Sequence, residues 1–400
     1  MQEENKNSQI MNTNDVDFTK EPLFFGQNLG IQRYDKFRYK HLFEQFLKQL
    51  SYFWRPEEFS VQKDKADFEQ LTPAQQKIFT LNIGYQIVLD TVQSRGINNL
   101  LKWSSNPEFE AFAKTWEFFE TLHSYSYTYI IKGIYSNPST IFDGVLKDPE
   151  IIKRASSVTQ YYDKLIEQFE QNAADQTFAE RIIEKSKEWP ILKEPFSWCF
   201  GKKLKQLEQE RLHNNKKALY LTLVSINILE GIRFYVSFAC SYCFAENKRM
   251  HGNAKIIEAI NRDESLHMGF TSYIIKCLMD NPDEGFQEVV KECQPIVVQM
   301  FKDAADEEIA WAQYIFKDGQ MLGLNAEILT QYMKWLTNNR MKIIKLEPIF
   351  DKVQNPINWI NKWTESKSVQ TAPQEAEITT YVVGSLNQDL DSNALSGFEL

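Results

Sequence analysis

The stretch "FFETLHSYSYTYII", residues 118–131, sets Glu120 and His123 three apart inside a run of Phe, Leu, Tyr and Ile. The stretch "NRDESLHMG" does the same with Glu264 and His267, on the face shared with Ile257 and Ile260. A carboxylate is almost never fully buried unless it is paired or bound to a metal. A chain with two such apolar helices can therefore fold only by bringing compensation to its own acids. Side chains at i and i+3 leave one face of a helix, so each Glu-x-x-His can ligate one ion, as in the cores of metal-binding bundles. One such pair is weak evidence, since most are surface or salt-bridged pairs; two narrow the choice. A two-metal helical site needs a further carboxylate from each of two other helices. Asp90 in "NIGYQIVLDTV" and Glu230 in "LTLVSINILEGIRFYVSFA" are the unusual acids that qualify. Asp90, Glu120, Glu230 and Glu264 carry four negative charges, which two divalent ions would neutralise and Arg233 alone would not. Oxygen and imidazole donors without thiolate suit iron or manganese. Zinc more often takes fewer ligands in a tetrahedron. At about 100° per residue, Tyr127 falls within a sector of about 60° with Glu120 and His123. Tyr125 and Tyr129 fall on the other side.

The remainder reads as helix. "LTPAQQKIFTLNIGYQIVLDTVQS" opens with Thr72 as N-cap and Pro73 at the first helical position. Amphipathic runs follow at 107–134, 150–172, 214–247, 253–279, 285–317 and 324–344, with little period-2 alternation. The expected fold is one large all-α domain. Residues 1–30 form an N-terminal arm, 31–364 the helical domain, and 365–400, rich in Ser, Thr, Asn, Gln and acids, a flexible tail. The highly charged segment 171–213 reads as an inserted excursion.

The net charge of −9 offers no nucleic-acid footprint. Five scattered cysteines suggest a reduced, cytoplasmic protein. Arg233 interrupts the best apolar run, so no membrane span is expected. Cys240 and Cys243 lie in a helix without a βαβ context and are expected to be buried structural thiols. His41, His213 and His251 have no partner pattern and are expected at the surface.

Together "KEPLFFGQNLGIQRYD", "LSYFWRPEE", "GYQIVLDTVQSRG", "ETLHSYSYT", "LEGIRFYVSFACSYCFAE", "GNAKIIEAINRDESLH", "MLGLNAEIL" and "APQEAEITTY" are highly specific. Through them the chain resembles, nearly end to end, the small radical-generating β subunit of class I ribonucleotide reductase, nearest the class Ia type. The resemblance implies a ferritin-like helical bundle with a dinuclear metal site in its core, and a homodimer. It implies two iron ions in a di-iron-oxo centre, with manganese the alternative, held by Asp90, Glu120, His123, Glu230, Glu264 and His267. Reaction with oxygen would oxidise Tyr127 to a stored radical, passed to a large α subunit for reduction of ribonucleotides to deoxyribonucleotides. Phe234, Phe238 and Ile260 match the apolar pocket around that radical. Trp54 matches the relay tryptophan, and Asp263 the carboxylate linking it to His123. Tyr381 and Glu375 match tail residues of the radical route. "SGFEL" matches the α-docking peptide, anchored by Phe398 and Leu400.

Two features depart from the family pattern. Tyr125 stands where the family has Arg or another residue, which raises the question of which phenol is oxidised. The 171–213 segment replaces a shorter one. A different di-iron oxidase, such as a desaturase or two-electron oxidase, would share the six ligands but have no use for Tyr127, Trp54 and a Tyr-bearing tail. Asp90, where many relatives carry Glu, also favours the reductase. An iron-storage protein of this fold would be much shorter and would need no docking tail.

Overall fold

The computed structural model describes residues 12–14, 16–187 and 193–364, without the side chains of residues 175–204. Helices in chain order are α1 (Lys40–Ser51), α2 (Gln62–Glu69), α3 (Pro73–Gly96), α4 (Asn98–Leu101), α5 (Pro107–Ile134) and α6 (Pro138–Val145). They continue with α7 (Pro149–Lys187), α8 (Lys193–Ile228), α9 (Tyr235–Glu246), α10 (His251–Asp280), α11 (Gln287–Ile315), α12 (Ala326–Ile343) and α13 (Asn361–Thr364). Between α8 and α9 the chain makes a π-turn, Leu229–Arg233. Among the described residues there are no strands, only two isolated bridges, Phe24 with Ser104 and Met321 with Leu324. This is the all-α, ferritin-like bundle expected.

The helix starts follow local chemistry. Thr72 Oγ1 accepts from the Gln75 N–H at 3.3 Å, and the Gln75 side chain accepts from the Thr72 N–H at 3.1 Å, a reciprocal cap on α3. Asn106 caps α5 by accepting from the Phe109 N–H at 2.8 Å, with Pro107 at the first helical position. The start of α10 is capped from outside its own chain segment. Asp64 of α2 accepts from the N–H groups of Gly252 at 3.1 Å and Asn253 at 2.5 Å. A Cβ on Gly252 would meet the Ser60 carbonyl oxygen at 2.2 Å, so only glycine fits beneath α2.

Helices α3, α5, α8 with its π-turn, and α10 pack together and bring their apolar faces into one core. The composite helix Lys205–Glu246 is long and apolar enough to cross a bilayer, and its apolar stretch is wholly buried inside the protein. Arg233 thus does not break the run as the sequence suggested; the run is a core helix. The arm is pinned, with Leu23 and Phe24 buried and the Leu23 N–H donating to Glu284 at 2.9 Å. Much of the charged 171–213 segment continues α7 to Lys187 and α8 from Lys193.

Candidate metal centre

The six predicted ligands converge in the core, and all are fully buried. Asp90 comes from α3, Glu120 and His123 from α5, Glu230 from the π-turn, and Glu264 and His267 from α10. Their ligand atoms form two groups, each within 4.8 Å: Asp90, Glu120, His123 and Glu264, and Glu120, Glu230, Glu264 and His267. Glu120 and Glu264 belong to both, the position of bridging ligands. His123 Nδ1 lies 3.0 Å from Glu264 Oε1, 3.5 Å from Glu120 Oε2 and 3.9 Å from Asp90 Oδ2. His267 Nδ1 lies 2.9 Å from Glu264 Oε2, 3.1 Å from Glu120 Oε1 and 3.9 Å from Glu230 Oε2.

The electrostatics are those of four carboxylates buried beside two imidazoles. Burial, then Glu264 and Glu120, push Asp90 well above the carboxylate range. Burial, then the same two acids, do so for Glu230. Burial opposes protonation of both histidines. The charge of Glu264, with Asp263 accepting from Nε2 and Glu120 close to the ring, outweighs it at His123, and the carboxylates of Glu120 and Glu264 facing Nδ1 outweigh it at His267, so both are raised. Burial would raise Glu264 too, but His123 and the surrounding hydrogen bonds hold it low. Both oxygens of Asp90, Oε2 of Glu120 and of Glu230, Oε1 of Glu264 and Nδ1 of His123 are buried without a hydrogen-bond partner. Native proteins leave few such atoms, and these six share one pocket. Two divalent cations would satisfy them and balance the four carboxylates, so the donor set fits a dinuclear oxygen and imidazole site.

Around the ligands stands a shell that sequence reading missed. Trp116 Nε1 donates to Glu120 Oε1 at 2.7 Å, and Gln93 Nε2 donates to Glu230 Oε1 at 2.6 Å. Tyr162 in turn donates to Gln93 at 2.8 Å, and the Gln49 amide lies 2.6 Å from His267 Nε2. Trp116 was findable, lying four residues before Glu120 on one helix face. Gln93 was findable in the same way, three residues after Asp90 on α3, whereas Gln49 and Tyr162 come from helices with no predicted ligand and carry no signal of their own. Arg233 does not face the acids; it donates to Glu307 at 2.7 Å.

Tyr127 is fully buried. Burial raises its phenol well above the usual value, and Asp90 is the charge that acts on it most strongly. Tyr125 is 48% exposed and donates to Glu57, outside the centre, as the helix angle required. Phe234, Phe238 and Ile260 are fully buried, with the two phenyl rings stacked at 5.5 Å. Trp54 Nε1 donates to Asp263 Oδ2 at 2.8 Å, and the same oxygen lies 3.2 Å from His123 Nε2. Glu375, Tyr381, Phe398 and Leu400 lie outside the described residues.

Cys240 and Cys243 are buried free thiols. His41 and His251 are exposed, as expected, but His213 is half-buried and meets Glu292 at 2.7 Å, so it has the partner the sequence did not suggest.

Comparison with known proteins covers nearly the whole chain. The profile of the family described as "Ribonucleotide reductase, small chain" matches residues 32–356. The chain is 43% identical to a ribonucleoside-diphosphate reductase subunit beta of Buchnera aphidicola subsp. Baizongia pistaciae, over 99% of this chain and 98% of the relative. It is 43% identical to ribonucleoside-diphosphate reductase 1 subunit beta of Escherichia coli O157:H7, over 96% and 97%. Among solved structures, a ribonucleotide reductase R2 subunit from Clostridium botulinum superposes with a TM-score of 0.70 at 25% identity, over 89% of this chain and 98% of that one.

Proposed function

Because this chain belongs to the ribonucleotide reductase small-chain family, we propose that its buried acid and histidine cluster is a radical-generating dinuclear metal centre and that Tyr127 is the residue oxidised. The chain is the β subunit of a ribonucleoside-diphosphate reductase, an oxidoreductase that works with a large α subunit. A desaturase-type oxidase is not favoured, since the relatives are reductase subunits.

Asp90, Glu120, His123, Glu230, Glu264 and His267 would hold two metal ions, with Glu120 and Glu264 common to both. The ions, iron in our reading with manganese as the alternative, supply the capacity to draw an electron from a nearby phenol using oxygen. The protein supplies the rest. Tyr127 presents its buried phenol toward Asp90, the charge that acts on it most strongly. Asp90 is the neighbouring carboxylate suited to receive the phenol's proton. Phe234, Phe238 and Ile260 keep water from the phenoxyl. Asp263 takes one hydrogen bond from Trp54 and a second from His123, which orients the imidazole and joins it to the tryptophan. Trp54 and Tyr381 would carry the radical outward, with Asp263 linking Trp54 to His123 and Glu375 assisting the transfer from the tail.

The same proposal divides the chain into an arm (1–30), a metal-binding bundle (31–364) with the 171–213 insert, and a tail (365–400) that docks the α subunit. It makes the protein a homodimer, supported by an exposed apolar strip of Leu47, Leu50, Phe53 and Phe118, with Phe53 and Phe118 stacked at 6.1 Å. It makes the protein cytoplasmic, supported by the free thiols Cys240, Cys243, Cys277 and Cys293.

The observation that carries the reading is the fully buried Tyr127 phenol beside Asp90, in a pocket of six ligand atoms without hydrogen-bond partners. The test is electron paramagnetic resonance of the protein loaded with ferrous iron and exposed to oxygen. A tyrosyl signal is expected in the wild type and none in Tyr127→Phe. A signal that survives the substitution moves the radical to another phenol. No organic radical in iron-loaded wild type removes iron as the metal.

A further inference from the structure

Glu230 is the one candidate ligand that does not sit on a regular helix. Its π-turn, Leu229–Arg233, widens the backbone for a single turn, and such turns persist where groups from outside the helix support them. Three supports are present. Asn227, one turn earlier, donates to the Met268 carbonyl, Thr271 and Ser272, tying α8 to α10. Arg233 at the end of the turn is held by Glu307 of α11. The third comes from α12, which contributes no ligand. Arg340 Nε donates to the Gly231 carbonyl at 3.0 Å, and its Nη2 donates to the Tyr235 hydroxyl at 2.8 Å. The guanidinium also lies over the Tyr235 ring, 5.1 Å from its centre. Gly231 is clasped closely, since a Cβ there would meet Met268 at 3.1 Å and the Arg340 stem at 3.4 Å.

We propose that Arg340 is a positioning residue of the metal centre. By holding the carbonyl next after Glu230, and the tyrosine that follows the turn, it fixes the π-turn so that the Glu230 carboxylate stays with Glu120, Glu264 and His267. The inference rests on the reading of Glu230 as a metal ligand. It makes a selective demand, because Glu230 belongs to only one of the two ligand groups. Loss of Arg340 should weaken one ion and spare the other, whereas general loosening of the fold would weaken both.

The experiment is a titration of the metal-free, full-length protein with manganese(II), counting bound ions from the resonance signal of the free ion. Wild type, Arg340→Gln, Arg340→Lys, Tyr235→Phe and Glu230→Ala are compared, with thermal melting of each metal-free form. Wild type should bind two ions. Arg340→Gln should weaken one of them by about 10–100-fold, the range for groups that orient ligands, and leave the other unchanged. Arg340→Lys keeps a donor for the Gly231 carbonyl and should recover most of the lost affinity. If Arg340→Gln proves too unstable to titrate, Tyr235→Phe, which removes only the second anchor, should still show a smaller loss confined to one ion. Two ions bound as tightly in the arginine and tyrosine variants as in wild type overturn the proposal, and so does an equal loss at both. Glu230→Ala separates the two ideas. If it still binds both ions, the ligand reading of Glu230 fails. If it loses one while Arg340→Gln keeps both, only the role of Arg340 fails.

Discussion

Glu308 is a buried acid the metal centre does not use. It accepts from the Tyr85 hydroxyl at 2.6 Å, while its other oxygen has no partner. Arg233, Tyr85, Arg154 and Glu307 face it. Arg233 lies 3.9 Å away and is committed more closely to Glu307, so it offsets burial only in part. Burial therefore pushes the Glu308 carboxyl up to about 7. In the unfolded chain this group loses its proton near the ordinary Glu value of about 4.3, so the folded form binds the proton more tightly. The sign follows: Glu308 makes the fold progressively less stable as pH rises from about 4.3 to about 7, and costs a constant amount above that. Glu308→Gln, a neutral shape-mate, should gain on wild type over that window by about 2–3 kcal/mol. Urea unfolding of the two metal-free proteins at pH 5 and pH 8 measures it; a difference that does not grow with pH refutes the account. Glu308 was not legible in the sequence, because "DAADEEIA" looks like an exposed acidic face. Tyr127 was legible, because its selection over Tyr125 needed only the angular period of one straight helix.

Helix α10 carries one of the two Glu-x-x-His pairs, Glu264 and His267, and its start depends on α2. Met250 enters it with a left-handed φ of 53°, and Asp64 replaces the cap that the local sequence lacks. Asp64→Ala should cost about 1 kcal/mol, the usual worth of a cap. Gly252→Ala should cost more, roughly 1–3 kcal/mol, because its methyl would meet the Ser60 carbonyl. Chemical denaturation of metal-free protein checks the order; an alanine at 252 as stable as glycine would mean that α2 does not press on α10. The helices themselves were legible where periodicity and caps agreed. The sequence run at 107–134 coincides with α5, and Thr72 and Pro73 open α3 as read. The π-turn was not legible, since "ILEGIRF" has the composition of ordinary helix and two of its supports, Glu307 and Arg340, come from far along the chain. The break between α8 and α9 was hidden for the same reason.

At the scale of the whole molecule, the strip from Leu47 to Phe118 leaves aromatic surface in water that a second copy would cover. Phe53→Glu with Phe118→Glu should therefore convert a dimer of about twice 47.0 kDa into a monomer in sedimentation. The substitutions should leave the helical circular dichroism unchanged. A wild type that sediments as a monomer would dismiss the homodimer, and a variant that stays dimeric would move the interface elsewhere.

The order of the ligands along the chain sets a clock on assembly. Asp90, Glu120 and His123 leave the ribosome together on neighbouring helices, but His267 follows His123 by roughly 140 residues. At about 5–20 residues per second, that is on the order of ten to thirty seconds during which half a site exists without its other wall. On the proposed ligand set, the pocket is complete only once α10 has closed it.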